Sequence, residues 1–145
     1  MVSRTLFLLL LLFSLPALAA QGKYAFLAGG SGEFEGKNFF LDDLADFRKG
    51  LLARGWDVSV VAGPGGLPAP FTAAATNLSI ISGLKRTLSQ AEKGDQVLVL
   101  FHSHGHRRET DWGQRSHSIV TERADPAASD GSLDLDRIEP LIQKA

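Results

Sequence analysis

The sequence predicts an α/β fold: a three-layer sandwich built on a mostly parallel sheet with strand order 2-1-3. Three observations carry this. Short apolar-rich segments at 23–28, 56–62 and 95–102 have the composition of strands, the first of the kind covered on both faces. Two stretches of helical periodicity separate them. Each stretch is long enough for a right-handed crossover, so successive strands run parallel and the first can lie between the other two.

The N-terminus reads as a targeting segment. Arg4 supplies a short positive region, an apolar run follows from Leu6 to Leu15, and Ala17-Leu18-Ala19 places small residues at the −3 and −1 positions. Residues 1–19 are therefore expected to be a signal peptide cut between Ala19 and Ala20, because the run is shorter than the roughly 20 residues of a membrane span. Residues 20–145 then form one partial α/β domain. The expected destination is periplasmic or extracellular, with no membrane attachment after cleavage.

"KYAFLA" at 23–28 is the first strand, and the glycine-rich loop "GGSGEFEGKN" follows it. Phe40, Leu41, Leu44, Phe47, Leu51 and Leu52 recur at helical spacing with charged residues between them, which predicts an amphipathic helix stopped at Gly55. "WDVSVVA" at 56–62 is the second strand. Residues 63–77 hold prolines and glycines without a period and read as a long loop. Asn77 is the expected cap of the next helix, whose buried stripe is Ile80, Ile81, Leu84, Leu88 and Ala91. The third strand spans Asp95–His102. Beyond it, 116–122 suggests a short hairpin strand, 125–131 a turn, and 132–145 a partial helix with Pro140 suited to a first turn.

Composition narrows the function. The chain has 15 basic and 16 acidic residues and no basic block, which argues against nucleic acid as a partner. It has no cysteine, hence no disulfide, no thiolate metal ligand and no thiol nucleophile. The glycine loop departs from a dinucleotide fingerprint: Gly30, Gly32 and Gly36 are spaced one residue too long, and no acidic residue ends the second strand. No cofactor is expected.

The chemistry concentrates in "LVLFHSHGHRRE" at 98–109. In an extended segment His102, His104 and His106 share one side, so three imidazoles could meet one zinc ion. The spacing is similar to the start of the metallo-β-lactamase motif, but without its aspartate. The aspartates at 125, 130, 134 and 136 lack the offsets of a calcium loop.

The segment also resembles the histidine motif of the caspase-like cysteine peptidases, the superfamily of caspases, metacaspases, legumains and clostripain-type enzymes. In that family an apolar third strand runs into a His-Gly pair, often as Ser-His-Gly, and Ser103, His104 and Gly105 match it. The resemblance extends over roughly residues 23–145, through an aspartate near the first helix start (Asp42 or Asp43), through Leu51, Gly55 and Val58, and through "SDGSLDLDRIEPLI". It does not separate the legumain-like from the caspase-like branch. It implies that His104 is a general base and acid and that the Gly105 N–H helps to hold the oxyanion. A peptide or protein is the implied substrate. His102 and His106 have no part in that scheme.

The family's nucleophile is a cysteine on the strand after the histidine strand, roughly 50 residues beyond the histidine in caspases. Counting from His104 passes the 145 residues present. The expectation is the N-terminal portion of an exported caspase-like endopeptidase, lacking the C-terminal half of the fold and inactive by itself. The alternative is a non-catalytic module that binds a metal through His102, His104 and His106, or a partner chain or second copy at the third strand's edge.

Overall fold

The computed structural model describes residues 21–30, 33–34, 37–64, 69–71, 73–109, 115–121 and 131–144. The expected signal peptide, residues 1–19, lies outside them.

A parallel three-stranded sheet forms the centre, ordered β4-β1-β5, with β1 at Lys23–Gly29, β4 at Asp57–Ala62 and β5 at Gln96–Phe101. This is the expected 2-1-3 order. Tyr24 to Gly29 pair with Asp57 to Ala62 on one side of β1, and Lys23 to Ala28 pair with Gln96 to Phe101 on the other. Two antiparallel pieces flank it. One is a small ribbon of β2 (Glu33–Phe34) and β3 (Lys37–Asn38) inside the glycine loop, which sequence periodicity did not indicate. The other is a sheet of β6 (Gly105–Glu109), β7 (Arg115–Val120) and β8 (Ser132–Asp134).

Alternating side chains of β1 point to opposite faces, and each face carries its own core. Leu27 packs with Leu41 and Leu44 of helix α1 (Phe39–Leu52) and with Ala62 and Phe71. Phe26 and Ala28 pack with Ile80 and Leu84 of helix α2 (Asn77–Gln90) and with Val61, Leu133 and Ile138. Helices thus cover both sides of the sheet, giving the three layers. At Gly83 the α2 backbone approaches β1 closely, for a Cβ there would lie 2.6 Å from the Phe26 ring.

Several local expectations change. The α2 cap is Thr76, whose Oγ1 accepts the Ser79 N–H at 3.2 Å. Asn77 is drawn into a tertiary contact instead: its Nδ2 donates to the Ser132 carbonyl and its Oδ1 accepts from Thr121. Ala91 is the half-buried C-cap of α2 rather than part of its stripe. Phe47, at the margin of the α1 stripe, and Leu52, its last residue, remain exposed. The C-terminal segment is β8, a 3₁₀ turn at Leu135–Arg137 and the short helix α3 at Glu139–Gln143, with Pro140 in its first turn as expected. Lastly, β5 has the apolar composition of an interior strand, yet none of its residues is fully buried. Among the described residues it pairs only with β1 and so lies at the edge of the sheet, and the apolar groove of about 350 Å³ beside it is lined by Val99, Phe101, Leu135, Ile138 and Ile142.

Candidate functional site at the carboxyl end of the sheet

The carboxyl ends of β1 and β5 meet the start of β6. Crevices outside the carboxyl ends of parallel strands are where such sheets bind ligands. The glycine loop and the histidines do converge there. A Cβ on Gly29 would lie 2.5 Å from the His102 carbonyl oxygen, and one on Gly30 would lie 3.0 Å from Ser103 Oγ. Both glycines allow the first strand to pass directly beside the histidine segment.

The extended run assumed for the three histidines is broken. The strand β5 stops at Phe101, residues 102–104 form the corner, and β6 begins at Gly105. The corner is fixed at both ends by backbone bonds: His102 N–H donates to the Ala28 carbonyl at 2.8 Å, and Val120 N–H donates to the His104 carbonyl at 2.7 Å. Between them Ser103 Oγ donates to the Val120 carbonyl. Ser103 therefore has a structural task, tying the corner to β7.

The half-buried His102 ring is held by its Nε2, which lies 2.8 Å from Asp43 Oδ2 on helix α1. With a carboxylate as acceptor, the proton belongs on Nε2. The exposed His104 ring makes no hydrogen bond among the described residues, so its nitrogens are open to a reacting group. Both imidazoles rest against Phe40: the ring centroids are 4.7 Å apart for His102 and 5.0 Å for His104, at interplanar angles of 70° and 74°. The His106 side chain lies outside the described residues. Among the described residues no three metal-ligating side chains converge.

The backbone geometry at Gly105 bears on its expected role. Because Val120 N–H bonds to His104, the pair 104/120 is a hydrogen-bonded one, and the next pair, Gly105 with Ile119, is not. The Gly105 N–H consequently faces away from β7. Its φ is not in the left-handed region, and a Cβ would meet its nearest atom, the Ser118 carbonyl oxygen, at an ordinary 3.6 Å. The fold does not need glycine here.

Phe40 and Asp43 are the residues whose place at the site the sequence did not reveal. Helical spacing places Phe40 in a core stripe, and the resemblance offers Asp43 only as one of two aspartates near the helix start. The pairing of Asp43 with His102 spans 59 positions, which no local pattern encodes. The sequence matches no protein-family model, and no curated protein matches it significantly.

Proposed function

We propose that this chain is the N-terminal portion of an exported caspase-like cysteine endopeptidase. The observation that carries the proposal is the placement of the His104-Gly105 pair just beyond the end of β5, beside the central strand, with an open imidazole and an outward amide. In this reading a cysteine on a strand added beside β5 gives its thiol proton to His104. The thiolate attacks the scissile carbonyl, and the Gly105 N–H helps to stabilise the oxyanion. His104 then returns the proton to the leaving amine, and water hydrolyses the thioester. The edge position of β5 and its apolar composition support a further strand there. The chain alone has no thiol, so it should not cleave peptides.

The test is to read the coding DNA beyond codon 145 in all three forward frames. An apolar strand ending in cysteine within about 15 codons, as the caspase spacing anticipates, supports the proposal. Its absence from every frame removes peptidase activity from the reading.

The open edge also favours a second reading, a binding module that takes up a strand from a partner or from a second copy. Exposed edges pair readily, and the groove beside Val99 and Phe101 would receive alternate side chains of the added strand. A metal version of this module, through His102, His104 and His106, is tested by zinc titration calorimetry; absence of stoichiometric binding ends it.

A further inference from the structure

Asp43, His102, Phe40 and His104 form a connected series across two elements. The carboxylate of α1 holds His102 Nε2 at 2.8 Å, although Asp43 is 62% exposed and His102 35% exposed. One turn earlier on the same helix, Phe40 presents its ring to both imidazoles in a T-shaped arrangement. An exposed carboxylate–imidazole pair contributes little to stability, typically below about 1 kcal/mol. It does, however, select a rotamer: a hydrogen bond to a ring nitrogen fixes both the tautomer and the plane of the ring. With the His102 plane fixed, Phe40 has a defined surface to lie against, and its other contact is the exposed imidazole of His104.

We infer that Asp43 and His102 are positioning residues that orient His104 through the Phe40 ring. The inference rests on His104 being the proposed base, and it assigns a role to the histidine that the peptidase scheme leaves unused. An exposed histidine otherwise samples several staggered rotamers, and orientation of the reacting group is a large part of an enzyme's advantage. The Asp43 bond also occupies His102 Nε2, so His102 is held back from acting as a competing base at that nitrogen.

The test is heteronuclear NMR of the whole chain, read at the histidine and phenylalanine rings. The expected wild-type signature is a set of cross-peaks between the Phe40 and His104 rings, with a ring-current shift on a carbon-bound His104 proton. In Asp43→Ala the His104 cross-peaks should fall to less than half and the ring-current shift should collapse. Backbone amides away from the corner and the unfolding midpoint should stay as in the wild type. Asp43→Asn, which still offers an oxygen to Nε2–H, should largely retain the wild-type His104 signals. Phe40→Leu should abolish the shift directly. Unchanged His104 signals in Asp43→Ala would overturn the inference. So would amide changes spread through the sheet, since Asp43 would then act on the fold rather than on one ring. Because no step needs catalysis, failure here leaves the peptidase reading standing, and a coding sequence without the cysteine strand leaves this coupling standing.

Discussion

Gly29→Ala is expected to loosen the corner that carries the histidines. The new Cβ would lie 2.5 Å from the His102 carbonyl oxygen and 2.6 Å from Leu44 Cδ1. Ordinary contacts are roughly 3.3 Å to oxygen and 3.5 Å or more to carbon. Each contact therefore falls short by close to 1 Å, and neither neighbour yields easily. The His102 backbone is pinned by its bond to the Ala28 carbonyl, and Leu44 is fully buried. Relief of both requires weakening that hydrogen bond, worth about 0.5–1.5 kcal/mol, and also pushing Leu44 off its rotamer at a similar cost. The unfolded-chain entropy removed by replacing glycine offsets about 0.4–1 kcal/mol. The net expectation is a loss of about 1–2 kcal/mol, within the range for overpacked interiors. Urea unfolding followed by circular dichroism reads it directly. With a slope of about 1.5 kcal/mol per molar, the midpoint should fall by roughly 1 M. Gly105→Ala is the internal control: its Cβ has room, so its midpoint should match or slightly exceed the wild type. If Gly29→Ala unfolds at the wild-type midpoint, the close approach of β1 to the corner is refuted.

Three further outcomes are expected. Thr87 is buried in α2 and its Oγ1 has no hydrogen-bond partner among the described residues, so Thr87→Val should raise stability by about 1 kcal/mol in the same urea assay; a loss would show that the hydroxyl is satisfied in solution. Thr76→Ala removes the α2 cap and should lower stability by about 1 kcal/mol, with Thr76→Ser restoring most of it. Val97→Lys places a charge on the open strand β5, where Val97 is already 38% exposed. It should lower any concentration-dependent association measured by sedimentation velocity while leaving the fold intact; unchanged association would show that copies do not meet at this edge.

The elements of the central sheet were legible because their causes are local. Apolar-rich segments of strand length alternating with helical periodicity admit few arrangements, and right-handed crossovers allow the 2-1-3 order that is observed. Gly55 has the positive φ expected of a residue that stops a helix. The convergence of the glycine loop with the histidine segment also follows from topology, since both lie at carboxyl ends.

Other features depend on which surfaces meet. Asn77 has the chemistry of a cap, yet Thr76 caps α2, because Asn77 finds Ser132 and Thr121 across the fold. Phe40 has the spacing of a core residue, yet its ring lies against two imidazoles. Periodicity identifies a face of a helix but not what lies opposite each part of it. The break at 102–104 arises in the same way, because Val120 and Ala28 take the backbone bonds that bend the chain there.

The sequence by itself determined the three-layer α/β class, the position of His104 and Gly105 beyond an apolar strand, and the lack of a thiol. Those properties reside in residue type and short-range spacing. Only the tertiary structure decided that His102 belongs to Asp43, that the His104 ring makes no hydrogen bond among the described residues, and that the Gly105 amide faces away from β7. Those are matters of register and of contacts between residues far apart in the chain, and they exist only once helix α1 and the β6–β7 hairpin have packed against the end of the sheet.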